Sequence, residues 1–162
     1  MKKMILLSSL FLMGLSVGCN GFTINIKTDD SLKKDQTFKR GKNKREKEYK
    51  ILETYAKVKV KKGDKMQLLT SKTYETPKKT LKNRIEVPAK LDIDQACKKV
   101  KINVRSLVQN INNNKYHFIK GKKTFKNIDS DASFILKLGK NQKSIMIMME
   151  KSEPSSISIL DE

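Results

Sequence analysis

The sequence predicts an α+β fold, a mainly antiparallel β-sheet of hairpins with one amphipathic helix packed on it. Three observations predict it. Apolar and polar residues alternate on both sides of Lys61-Lys62-Gly63-Asp64. They alternate again around Gly139-Lys140-Asn141-Gln142. Between these two stretches, from Ala96 to Ile111, apolar residues recur every three to four positions.

Taken in order, the chain begins with a segment that reads as an export signal. Lys2 and Lys3 precede the uncharged, mostly apolar run Ile5–Val17, and Gly18 and Cys19 follow it. As a helix this run is roughly 20 Å long, short of the ~20 residues that span a bilayer. Leu15-Ser16-Val17-Gly18-Cys19 resembles the lipobox of bacterial lipoproteins. The family usually places Leu three residues before the cysteine; here Ser16 stands there and Leu15 lies one further out, a looseness found in spirochaetal lipoproteins. The resemblance implies cleavage between Gly18 and Cys19. It also implies a thioether-linked diacylglycerol and an N-acyl chain on Cys19, and more than one chain is what stable membrane residence requires. Gly14-Leu15-Ser16-Val17-Gly18 matches the G-x-S-x-G elbow of hydrolases, but a segment that is discarded cannot build that turn.

Residues 19–49 read as the lipidated cysteine and a flexible basic tether. Phe22-Thr23-Ile24-Asn25-Ile26 alternates as a stray strand would. Beyond it, Lys33, Lys34, Lys39, Arg40, Lys42, Lys44, Arg45 and Lys47 crowd a stretch with few apolar residues, where repulsion favours disorder. Thirty such residues would span roughly 30 Å. The stretch is either a solvated spacer or a strip that binds polyanions or lipid headgroups.

Residues 50–162 read as one α+β domain. Ala56, Val58 and Val60 share a face opposite Tyr55, Lys57 and Lys59. The Gly63 turn returns the chain through Met66, Leu68 and Thr70. Ile85 and Val87 form a short strand stopped by Pro88. Asp92 or Asp94 caps the expected helix, whose stripe is Ala96, Val100, Val104, Leu107, Val108 and Ile111. Lys98, Lys99, Lys101 and Arg105 take its other face, and Asn112-Asn113-Asn114 ends it. Tyr116–Ile119 reads as a strand. Phe134, Leu136 and Leu138 pair with Ile145, Ile147 and Met149 in the second hairpin. Met146 and Met148 make the other face of the return strand apolar too, which predicts a central position, with the methionines filling the core or else offering an adaptable binding surface. Ile157 and Ile159 suggest a last strand.

Charge dominates composition. The 162 residues carry 36 basic against 17 acidic side chains, formally +19. Only Arg40, Arg45, Arg84 and Arg105 are arginines, so the excess is lysine, a hydrated point charge rather than the fork that reads phosphate. An AT-rich genome encodes such a bias without any partner. A functional bias would select anionic glycans or acidic proteins of a host or vector. Export, scarce arginine and the lack of a stacking platform argue against nucleic acid.

No cofactor is implied and no catalytic pattern is present. His117 is the only histidine, which rules out a two-histidine metal site and suits a structural residue among aromatics. Asp129-Ser130-Asp131 lacks EF-hand spacing and reads as a turn, and Asp92/Asp94 as a helix start rather than an acid/base pair. With Cys19 lipidated, Cys97 has no partner in the chain. It reads as a small buried residue on the helix, or else as an intermolecular disulfide or reactive thiol. The lysine-rich body and loose lipobox resemble borrelial surface lipoproteins, among which a small member is associated with persistence in ticks. That resemblance implies a non-enzymatic protein held at the cell outer membrane by lipid and acting by binding in colonisation. The alternative is a structural or accessory envelope lipoprotein facing the periplasm.

Overall fold

Alternation with period two recurs in segment after segment of the described chain. In the computed structural model, which describes residues 21–42 and 45–151, it produces eleven strands. They are β1 (Phe22–Thr28), β2 (Thr37–Arg40), β3 (Lys47–Lys62), β4 (Lys65–Leu68), β5 (Lys72–Tyr74), β6 (Leu81–Glu86), β7 (Ala89–Ile93), β8 (Cys97–Asn110), β9 (Tyr116–Ile128), β10 (Ala132–Leu138) and β11 (Ile145–Lys151). One sheet has the order β11-β10-β1-β7. The other has the order β5-β6-β3-β8-β9, with β2 and β4 also paired to β3. All pairings are antiparallel except β1 with β10.

The two sheets share one core. Ile24, Ile26, Phe134 and Leu136 from the smaller sheet join Val58, Val60, Val100, Ile102 and Val104 from the larger. Phe125 and Phe134 meet across it at 4.8 Å between ring centroids. Each such side chain contributes about 1.5–3 kcal/mol by leaving water, which makes this layer the main source of stability.

The expected helix does not form: residues 97–110 are β8, the central long strand beside β3 and β9. The α+β expectation is therefore replaced by an all-β sandwich, with a turn of 3-10 helix at Asp30–Leu32 and no α-helix among the described residues. The row that decides it is Val100, Ile102, Val104, Ser106, Val108 and Asn110, every member buried. Two residues disguise this row. Ser106 interrupts its apolar character, and Leu107 adds a buried apolar residue on the opposite face, so the pair imitates helical spacing. The hydroxyls of Ser106 and Thr54 satisfy one another at 2.6 Å, which permits serine inside. β-Branched Val and Ile favour the extended backbone. Asp92 and Asp94 accordingly cap no helix. Asp92 lies in β7, and Asp94 follows it and pairs with Lys62. Cys97 is buried, on a strand rather than a helix.

Two further expectations are corrected. The segment read as a tether is ordered where described. β1 runs between β7 and β10 with Phe22, Ile24 and Ile26 buried, so the folded unit includes β1 and does not begin at Lys50. β11 is an edge strand, not a central one, and Met146 (44% exposed) and Met148 (43%) face outward instead of filling the core.

The hairpins form as expected. β3 turns into β4 through Gly63 at φ +58°, with Lys62 opposite Lys65, and β10 returns as β11 with Leu138 opposite Ile145. Where β11 begins, β9 passes so close that a Cβ on Gly121 would overlap the Ile145 carbonyl oxygen. The short β6 strand ends before Pro88 and His117 sits in β9, as their patterns suggest. Gly18, Cys19, Lys44, Ile157 and Ile159 lie outside the described residues.

Candidate polyanion-binding face

With one face of the β3–β8–β9 ribbon facing the core, alternation aims every second residue of these strands outward. Register then stacks those outward residues into cross-strand columns. Lys61, Lys99 and Lys126 form one; Lys59, Lys101 and Thr124 the next; Lys57, Asn103 and Lys122 the third; and Tyr55, Arg105 and Lys120 the fourth. The first three columns hold seven lysines and no acid. Cross-strand neighbours on one face lie about 4.5–5.5 Å apart at Cβ, and like charges there oppose folding. Lys57, Lys59, Lys101, Asn103 and Lys122 line a shallow cleft of about 120 Å³.

Elsewhere lysines find partners: Lys33 with Asp30, Lys34 with Glu53 at 3.6 Å, Lys39 with Glu46 at 3.8 Å, Lys50 with Asp35 at 2.8 Å, and Lys62 with Asp94. Among the described residues, no column lysine forms an ion pair.

The far half of the same face is covered. Tyr74 of β5 packs on Tyr55 at 4.8 Å between ring centroids. Burial, followed by the hydrogen bond to Glu53, pushes the Tyr55 phenol well above its ordinary range. The β5–β6 connection crosses over β9, where Lys78 Nζ donates to the Tyr116 carbonyl at 3.2 Å and Lys79 Nζ stands 5.4 Å from the Phe118 ring centroid. The columns are therefore bare at one end and roofed at the other.

The strip expected to bind polyanions is folded rather than extended. Lys33 and Lys34 follow the 3-10 turn, Lys39 and Arg40 lie on β2, and Lys47 opens β3 opposite Arg40. Lys33, Lys34 and Lys39 are ion-paired. Arg40 lies 5.0 Å from the Tyr49 ring centroid. Lys42, Arg45 and Lys47 are exposed around the β2–β3 turn. Among the described residues, cations without an ion pair therefore stand in both places, at Lys42, Arg45 and Lys47 of the strip and along the ribbon columns. Lysine at every second position, at 57, 59 and 61, at 99 and 101, and at 120, 122 and 126, was the available signal.

His117 packs edge-on against Tyr49 at 5.8 Å, and burial, then Lys78, Arg40, Lys47 and Lys115, lower its affinity for a proton. Asp131 accepts a hydrogen bond from the Thr23 amide at 2.7 Å and Asp92 one from the Thr23 hydroxyl at 3.2 Å, which joins the β9–β10 turn and β7 to β1. Among the described residues there is no group of three His, Cys, Asp or Glu side chains placed to hold a metal. No family model matches the chain, and no curated protein or solved structure matches it.

Proposed function

We propose that this chain is a lipid-anchored surface protein that binds anionic polymers through the lysine columns of β3, β8 and β9. The carrying observation is seven lysines brought onto one sheet face with no acid among them, on a chain whose other lysines include several ion-paired ones. Repulsion across such columns disfavours the folded state, and an anionic polymer lying along them removes it. Sulfated glycans suit lysine best, because a run of point charges follows a linear polyanion without demanding bidentate geometry.

Export and acylation at Cys19 supply the anchor in this reading, supported by the lipobox at Leu15–Cys19. The same resemblance to borrelial surface lipoproteins favours the outer membrane and a role in host or vector colonisation, with no reaction catalysed.

The test has two parts. The mature chain is applied to immobilised heparin at low salt. Retention that ends at moderate salt supports the reading, and flow-through at low salt overturns it. Protease added to intact cells digests the protein if it is on the surface; survival of the protein assigns it to the periplasmic side and overturns the surface role.

A further inference from the structure

Between the bare and roofed halves of the face, four cations converge from separate elements. Arg105 lies on β8 and Lys120 opposite it on β9. Arg84 reaches over from β6, and its Nη1 donates to the Asn103 carbonyl at 2.7 Å, two residues from Arg105 on the same strand face. Lys79 comes down from the β5–β6 connection onto Phe118, two residues from Lys120. Arg84 is 5% exposed, so its charge is held inside the structure. Arg105 Nε is buried and has no hydrogen-bond partner among the described residues. No carboxylate forms an ion pair with any of the four among those residues.

A buried guanidinium nitrogen without an acceptor costs free energy, and two guanidinium groups side by side add repulsion. The proximity also shows in acidity. Lys79 holds its proton less firmly because of burial and then Arg105, Lys120 and Arg84, and Arg84 is lowered by burial and by Arg105. An oxyanion placed among the four charges would relieve this repulsion and offer the Arg105 guanidinium an acceptor.

We propose that Arg84, Arg105, Lys79 and Lys120 form a discrete seat for one tetrahedral oxyanion, a sulfate or phosphate group. It rests on the polyanion reading where the sulfate belongs to a glycan. In that case the seat fixes one group of the polymer, and the lysine columns hold the rest without geometric demands. Two of the chain's four arginines are spent here, where a planar fork rather than a point charge suits the ligand.

The experiment uses the mature protein and its Arg105→Gln and Arg105→Lys variants. Each is titrated separately with a sulfated heparin hexasaccharide, inorganic sulfate and inorganic phosphate, at ionic strength matched with sodium chloride. The expected result is hexasaccharide affinity about tenfold weaker in Arg105→Gln and only partly restored by Arg105→Lys, the size that loss of a charge-assisted hydrogen bond predicts. A Lys122→Gln control, which removes a column charge, loses much less. A response to inorganic phosphate alone that vanishes in Arg105→Gln keeps the seat but assigns it to a free phosphate. Hexasaccharide binding that is equal in wild type and Arg105→Gln, with no anion-specific response, overturns the seat and leaves the polyanion face standing. Absence of hexasaccharide binding by the wild type overturns the face instead. Matched melting temperatures of the variants in chloride confirm that folding is unchanged.

Discussion

The two faces of β8 are built on opposite principles. The inward face, Val100, Ile102, Val104, Ser106, Val108 and Asn110, is closed: every member is buried, and Ser106 has found Thr54. The outward face, Lys99, Lys101, Asn103 and Arg105, is open. Its charges stack against other charges, and the Arg105 Nε lacks an acceptor among the described residues. The difference teaches where selection for folding stops. The inward stretch satisfies itself and explains the fold; the outward lysines are left to water, which keeps them free for the partner proposed above.

The comparison can be broken hardest from the inside. Ile102→Ala removes a fully buried side chain and should cost about 2–5 kcal/mol in urea unfolding. Next, Thr54→Val leaves the Ser106 hydroxyl without a partner and should cost about 1–3 kcal/mol. The double variant Thr54→Val/Ser106→Ala should recover most of that loss, and a double variant as unstable as the single one would show that the hydroxyl pair is not what matters.

From the outside the sign reverses. Lys101→Glu places a carboxylate opposite Lys59 and should stabilise by about 0.2–1 kcal/mol while weakening heparin retention. Raising sodium chloride should stabilise the wild type more than this variant, because salt screens the repulsion that the variant lacks.

The smallest effect concerns pH. His117 takes up a proton less readily folded than unfolded, because burial and Lys78, Arg40, Lys47 and Lys115 oppose its charge. The unfolded chain therefore binds more protons just below the ordinary histidine value of 6.5, and stability falls as pH drops through that window. In His117→Gln this part of the slope should disappear from melting curves taken between pH 7 and pH 5.

Turn chemistry made both hairpins legible, because Gly63 and the Gly139–Gln142 segment sit next to the strands they join. β8 was not legible because the two signals that identify it come from elsewhere: Thr54, which makes Ser106 tolerable, and the roof over β9, beside which Leu107 is buried on the outward face. β1 was legible as a stray alternating piece, Phe22–Ile26, but its place in the core was not, for a similar reason. Its three buried residues stand in a polar stretch, and its partners β7 and β10 lie far along the chain, with Thr23 bonded to Asp131 across 108 positions. The lysine rows were visible strand by strand. Their stacking was not, because it depends on register between segments dozens of residues apart. The seat at Arg84 and Arg105 needs β6 folded over β8, and no local pattern announces that.

The early start of β1 has a mechanical consequence. Only three residue steps separate Cys19 from Phe22, at most about 10 Å of chain. An acylated Cys19 would then give the sandwich no stalk, and the end that carries Gly21, Lys62 and Asp94 would rest close against the headgroups. The ribbon starts at that end with Lys61, Lys99 and Lys126 and leads outward to the arginine seat. If the chain is anchored and binds polyanions as proposed, a long polymer approaching from the medium would reach the seat first and slide down the lysines toward the cell.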